Sequence, residues 1–141
     1  MRAPRHPTRR RLLGLVWVAV AVAAVAAPGG PPRAEPGLQL VYVTAQNCGF
    51  CAAFEAGRFE EMRDLAATRD VAVRVVRVAR FQSYAEDPFP EDLDWLKRAG
   101  VRSGTPRFLL VRDGRIVASA FGTAGYEETI KPVLLDPAGP T

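Results

Sequence analysis

Histidine is almost absent from this 141-residue chain, with His6 as its single copy, and only two cysteines occur, Cys48 and Cys51. That scarcity removes whole classes of chemistry. A Ser-His-Asp hydrolase, a thiolate-imidazole pair and a His-based copper site each need an imidazole in the folded domain, and His6 lies in a stretch that reads as a targeting segment. A zinc site on the two cysteines would need two more ligands, and no other Cys supplies them, so no metal is expected. Internal repeats and coiled-coil heptads are also missing. What remains is a chain long enough for one domain, 48% hydrophobic and 24% charged, a balance unlike that of a disordered, collagen-like or disulfide-dense protein.

Acidic residues are lacking at the N-terminus, where the first carboxylate is Glu35. Arg2, Arg5, Arg9, Arg10 and Arg11 stand there unopposed. Removing those five from the 19 Lys and Arg leaves 14 bases against 15 acids, so the net charge of +4 belongs to the leader and not to the folded domain. Nucleic acid is therefore not an expected partner.

After the arginines, residues 12–27 are uncharged and rich in Leu, Val and Ala. A spanning helix wants about 20 apolar residues, and a signal-peptide core roughly 7 to 15 followed by small residues. Residues 1–26 are accordingly read as a signal peptide, with Ala24 and Ala26 at the −3 and −1 positions before a cut at Ala27; the alternative is an uncleaved anchor. In either case the remainder lies outside the cytoplasm, periplasmic or otherwise exported. Arg9-Arg10-Arg11-Leu12-Leu13 also fits a twin-arginine pattern, although an ordinary basic leader explains it as simply. Residues 27–37, mostly Pro, Gly and Ala, read as a tether, residues 38–136 as the domain, and 137–141 as a flexible tail.

Within the domain, residues 38–44 (LQLVYVT) suit a strand. Cys51, Phe54, Arg58, Phe59, Met62, Leu65 and Ala66 then recur at helical spacing. The continuous run at 71–79 (VAVRVVRVA) predicts a strand covered on both faces, as in a parallel sheet. Strand, helix, strand is a βαβ unit. A Pro-containing loop over 80–92 leads to a helix near 92–99 stopped at Gly100. Residues 108–111 and 116–121 flank Asp113-Gly114, a strong hairpin signal. A closing helix over 126–135 must end or kink at Pro132.

The cysteines sit where strand meets helix. A Cys-x-x-Cys pair beside a βαβ pattern is a redox signature, because both sulfurs fall on the first turn of one helix, close enough to bridge. Cys48, at the helix N-terminus, meets unpaired N–H groups and a dipole that favour a thiolate, which makes it the attacking sulfur. Cys51, one turn in and more buried, would resolve the mixed disulfide. A purely structural disulfide is the alternative, but two intervening residues close too short a loop to restrain much chain entropy.

Cys48-Gly49-Phe50-Cys51 after an apolar strand, followed by Gly100-Val101-Arg102-Ser103-Gly104-Thr105-Pro106 and then Phe108-Leu109-Leu110-Val111-Arg112-Asp113-Gly114, resembles the thioredoxin superfamily. The resemblance implies an α/β three-layer fold, a mixed central β-sheet flanked by helices. It also implies a cis bond at Pro106 opposite the cysteines, with Thr105, Pro106, Gly49 and Phe50 binding substrate. A strand-edge proline is the plainer reading of Pro106.

Three positions depart from the family. Asn47 stands where Trp is usual and Phe50 where cytoplasmic thioredoxin has Pro. Tyr42 occupies the place of a buried Asp, which puts that proton relay in doubt. Glu55, one turn after Cys51, reads more readily as a solvated helix carboxylate than as a relay.

Gly-Phe between the cysteines resembles exported disulfide reductases and isomerases. The implied activity is reduction of protein disulfides by a monomer, with the Cys48–Cys51 disulfide in place of a cofactor and a membrane thiol-disulfide donor recharging it. Isomerase, oxidase, a non-enzymatic binding module and a zinc-bridged dimer are the alternatives.

Overall fold

A computed structural model describes residues 37–136. The signal segment at 1–26, the tether up to residue 36 and the tail at 137–141 lie outside the described residues. The elements in chain order are β1 (Leu38–Ala45), α1 (Gly49–Gly57), α2 (Phe59–Ala67), β2 (Ala72–Val78), a 3-10 turn (Glu91–Leu93), α3 (Trp95–Arg98), β3 (Arg107–Arg112) and β4 (Arg115–Phe121). A C-terminal helical run follows, made of α4 (Gly122–Gly125), a π-helical turn (Tyr126–Ile130) and α5 (Lys131–Leu135). Among the described residues no helix is long and apolar enough to cross a membrane.

The sheet has the order β2-β1-β3-β4. β1 pairs parallel with β2, Tyr42 opposite Val75, and antiparallel with β3, Tyr42 opposite Phe108. Sequence neighbours β3 and β4 form the hairpin, and its turn residues Asp113 and Gly114 both have positive φ, 50° and 72°. That is the handedness a two-residue turn needs to match the twist of its strands.

Alternation along the central strand β1 divides the core in two. Leu40 and Tyr42 face Phe54, Met62, Ala66, Phe108, Tyr126, Ile130 and Leu134, so α1, α2 and the C-terminal run cover that face. Val41, Val43 and Ala45 face Leu93, Leu96, Tyr84 and Val101, so α3 and the long loop before it cover the other. The result is a three-layer, thioredoxin-like α/β fold with a mixed four-stranded sheet.

Three sequence expectations need correction. β2 is parallel to β1 but lies at the sheet edge, and its burial alternates: Val76 and Val78 are buried while Val75 is 37% exposed. Cover is complete on one face, where Val76 and Val78 sit in the core with Leu96 and Val101, and partial on the other, where Val73 packs against the Met62 and Ala66 side. Helical spacing from Cys51 to Ala66 is interrupted at Arg58, whose φ of −134° takes it out of the helix, so the segment forms two helices. The helix expected over 92–99 is only a 3-10 turn joined to the four-residue α3, ending before Gly100. The helix expected over 126–135 does not end at Pro132, which lies in the first turn of α5 directly after the π turn, so the break at this proline takes the form of a change in helical geometry.

Candidate functional site

Central β1 is buried from Leu40 to Ala45 and ends at the rim of the sheet, where the chain turns over Gln46 and Asn47 into α1. Cys48 is the N-cap of α1, with extended backbone (φ −111°, ψ 101°). Its Sγ accepts a hydrogen bond of 3.1 Å from the backbone N–H of Cys51. Cys48 and Cys51 form a disulfide, with Cα atoms 5.2 Å apart. Cys51 is 1% exposed and Cys48 6%, so the first sulfur is the more accessible. The N–H groups of a helix start stabilise negative charge on a sulfur placed there.

Facing the disulfide is the loop before β3. The Thr105–Pro106 peptide is cis, and the Thr105 carbonyl oxygen lies 3.5 Å from Cys48 Sγ. Thr105 is buried, and its Oγ1 has no hydrogen-bond partner among the described residues. The Pro106 carbonyl accepts from Gly122 N–H at 2.8 Å, which ties this loop to the start of the C-terminal run. Gly104 has φ +78°, where a side chain is strained, and a Cβ there would crowd the Phe121 ring at 3.0 Å.

Residues 79–84 stitch the two sides together. Asn47 Oδ1 accepts from Phe81 N–H at 3.1 Å, and the Phe81 carbonyl accepts from Gly104 N–H at 2.8 Å. Tyr84 OH donates to the carbonyls of Ser103 (2.9 Å) and Gly104 (3.2 Å). Burial pushes the Tyr84 phenol above its usual value, which keeps it a neutral donor.

Phe50, 78% exposed, separates two apolar grooves. One, about 330 Å³, is lined by Phe50, Thr105, Pro106, Phe121 and the turn at Gly122 to Ala124. The other, about 440 Å³, is lined by Cys48, Gly49, Phe50, Ala53 and Phe81. The six residues expected from sequence, Cys48, Gly49, Phe50, Cys51, Thr105 and Pro106, thus meet around one disulfide. Asn47, Phe81, Tyr84 and Phe121 were not among them. Only the departure at Asn47 offered a signal, and no spacing rule links position 47 to position 81.

Glu55 is not an ordinary solvated carboxylate. Its Oε1 accepts from Thr44 Oγ1 at 2.7 Å and from Tyr42 OH at 3.3 Å, and Arg77 Nη1 lies at 3.6 Å. The side chain is 31% exposed. Tyr42 is fully buried, and that burial, with the neighbouring carboxylate adding to it, raises its phenol to about 12. Glu55 therefore puts a carboxylate beside the buried Tyr42. Helical spacing places it next to Cys51 on one face of α1. Among the described residues no cluster of His, Cys, Asp or Glu could hold a metal ion.

No protein-family model and no curated protein matches the sequence. Solved structures similar to it include the periplasmic thioredoxin SoxS from Paracoccus pantotrophus, reduced form, at 20% identity over 72% of this chain and 99% of that one, TM-score 0.47. Mitochondrial thioredoxin 3 from Saccharomyces cerevisiae, oxidised form, is similar at 20% identity over 62% of this chain and 69% of that one, TM-score 0.39. Thioredoxin from Aeropyrum pernix is similar at 19% identity over 64% and 68%, TM-score 0.43. At such scores the fold assignment rests on the element order and sheet of this chain itself.

Proposed function

We propose that the chain is an exported thiol-disulfide oxidoreductase that reduces protein disulfides through Cys48 and Cys51. The observation that carries this reading is the bridged Cys48–Cys51 pair at the start of α1, with the Cys48 sulfur beside the Thr105 carbonyl. In the reduced form, Cys48 thiolate attacks one sulfur of a substrate disulfide. The substrate S–S bond breaks, a Cys48 mixed disulfide forms, and the first substrate thiolate leaves. Cys51, having lost its proton, attacks Cys48 Sγ, the mixed disulfide breaks, and the second substrate thiolate leaves. Two electrons have passed to the substrate and the Cys48–Cys51 disulfide is restored.

Substrate binding falls to Thr105, Pro106, Gly49 and Phe50, which line the grooves beside the sulfur. The disulfide itself carries the electrons, so the cycle calls for no separate cofactor. A thiol-disulfide donor at the membrane recharges the pair, in keeping with the arginine-rich leader at 1–26. Reduction ranks ahead of isomerisation and oxidation in this reading, and the reduction potential of the pair decides among them.

Cys48→Ser should abolish insulin-disulfide reduction, a loss of about a thousandfold or more as expected for a missing nucleophile. Undiminished turnover in that variant contradicts the proposal.

A further inference from the structure

Phe50 and Phe81 face one another across the 440 Å³ groove, 78% and 38% exposed. Apart from Cys48, the reacting residue itself, none of the residues that line it carries a charged or polar side chain. A polypeptide whose disulfide reaches Cys48 must therefore lie against this groove as well as against the one at Thr105. The two grooves share Phe50 and no other residue, so they are distinct neighbours of the same ring.

The Phe81 side is held in place. Both backbone polar groups of Phe81 are committed, the N–H to Asn47 Oδ1 and the carbonyl to Gly104 N–H, so the ring stays at the rim without strand or helix around it. The volume is at the small end of ligand pockets, suited to one or two side chains.

We propose that this groove is a second substrate subsite, taking an uncharged apolar side chain that flanks the substrate's reacting cysteine, and that Asn47 shapes it by fixing Phe81. The inference rests on the redox reading above and narrows its substrate class to disulfides in apolar sequence.

Disulfide-linked peptides carrying Leu or Ser, one flank of the cysteine at a time, test it. Wild-type protein should favour Leu over Ser by about tenfold in kcat/KM, the usual worth of a filled apolar pocket. Phe81→Ala should erase that preference on one flank and retain it on the flank that lies toward Thr105. Phe81→Leu should restore it, and Asn47→Ala should weaken it on the same flank, mainly through KM. Peptides reduced with no flank preference, or a preference that Phe81→Ala leaves intact or removes from both flanks together, overturn the subsite alone. If no peptide is reduced by any of the proteins, the redox reading falls first and takes the subsite with it.

Discussion

The phenylalanines of this domain have two opposite fates. Phe54 and Phe108 are buried at 1% and 0% exposure, packed edge to face with ring centroids 4.8 Å apart, and both touch Tyr126. Phe50, Phe81 and Phe121 stand open at 78%, 38% and 58%. The buried group ties the sheet to its helical cover. The open group lines the two grooves beside one disulfide. Apolar surface left in water costs free energy, and grouped beside the disulfide it fits the substrate contact proposed above. The same residue type thus does structural work on the helical face and, in the proposed function, recognition at the rim.

Substitutions should separate the two groups. Phe108→Ala, which opens a cavity among Tyr42, Phe54 and Tyr126, should cost about 3 to 5 kcal/mol, read as a lowered denaturation midpoint. A loss under about 1 kcal/mol would mean that the aromatic cluster does not anchor the fold.

Alkaline pH attacks the same cluster by another route. Burial raises the phenols of Tyr42 and Tyr126 to about 12, from about 10 in an unfolded chain. The neutral form is the one the fold prefers, so this stability is fully present below pH 10 and is lost as pH rises toward 12. The loss should be on the order of 2 to 3 kcal/mol for each phenol. At pH 11, midway between the two values, about half of that, roughly 1.4 kcal/mol per phenol, should be gone relative to pH 8 when read by urea midpoint, and Tyr126→Phe should remove its own share of the drop. A flat profile would show that these hydroxyls titrate as though exposed.

The smallest effect on stability belongs to the rim. Phe50→Ala should change unfolding free energy by under about 0.5 kcal/mol yet raise KM for protein disulfides several-fold. A stability loss comparable to that of Phe108→Ala would erase the distinction between the two groups.

Local rules made much of the fold legible. The strand-turn-helix around Cys48 and Cys51, the Asp113-Gly114 hairpin and the stop at Gly100 each follow from residue type at a fixed position. Tertiary context decided the rest. Val-rich β2 reads as a doubly covered strand, and only the structure shows it at the sheet edge, with one face fully covered and the other in part. Gly57 and Arg58 gave no sign of the break between α1 and α2 that the periodicity bridges. At the site, the cysteines and the Thr105–Pro106 loop were readable from motif. Glu55 was not, because its environment comes from Tyr42 and Thr44 on β1 and Arg77 on β2, positions that no helical spacing relates to it. Phe81 was missed for the same reason: its link to Asn47 crosses 34 residues of chain.

The central claim is that Cys48–Cys51 is a working redox couple and not a fixed staple, and its reduction potential tests that most directly. Equilibration in graded glutathione or dithiothreitol buffers should show a reversible two-electron transition between about −120 and −270 mV, the span of oxidoreductases from strong oxidant to strong reductant, nearer the lower end for a reductase. A disulfide that stays intact to below about −300 mV, as structural bridges do, would contradict it.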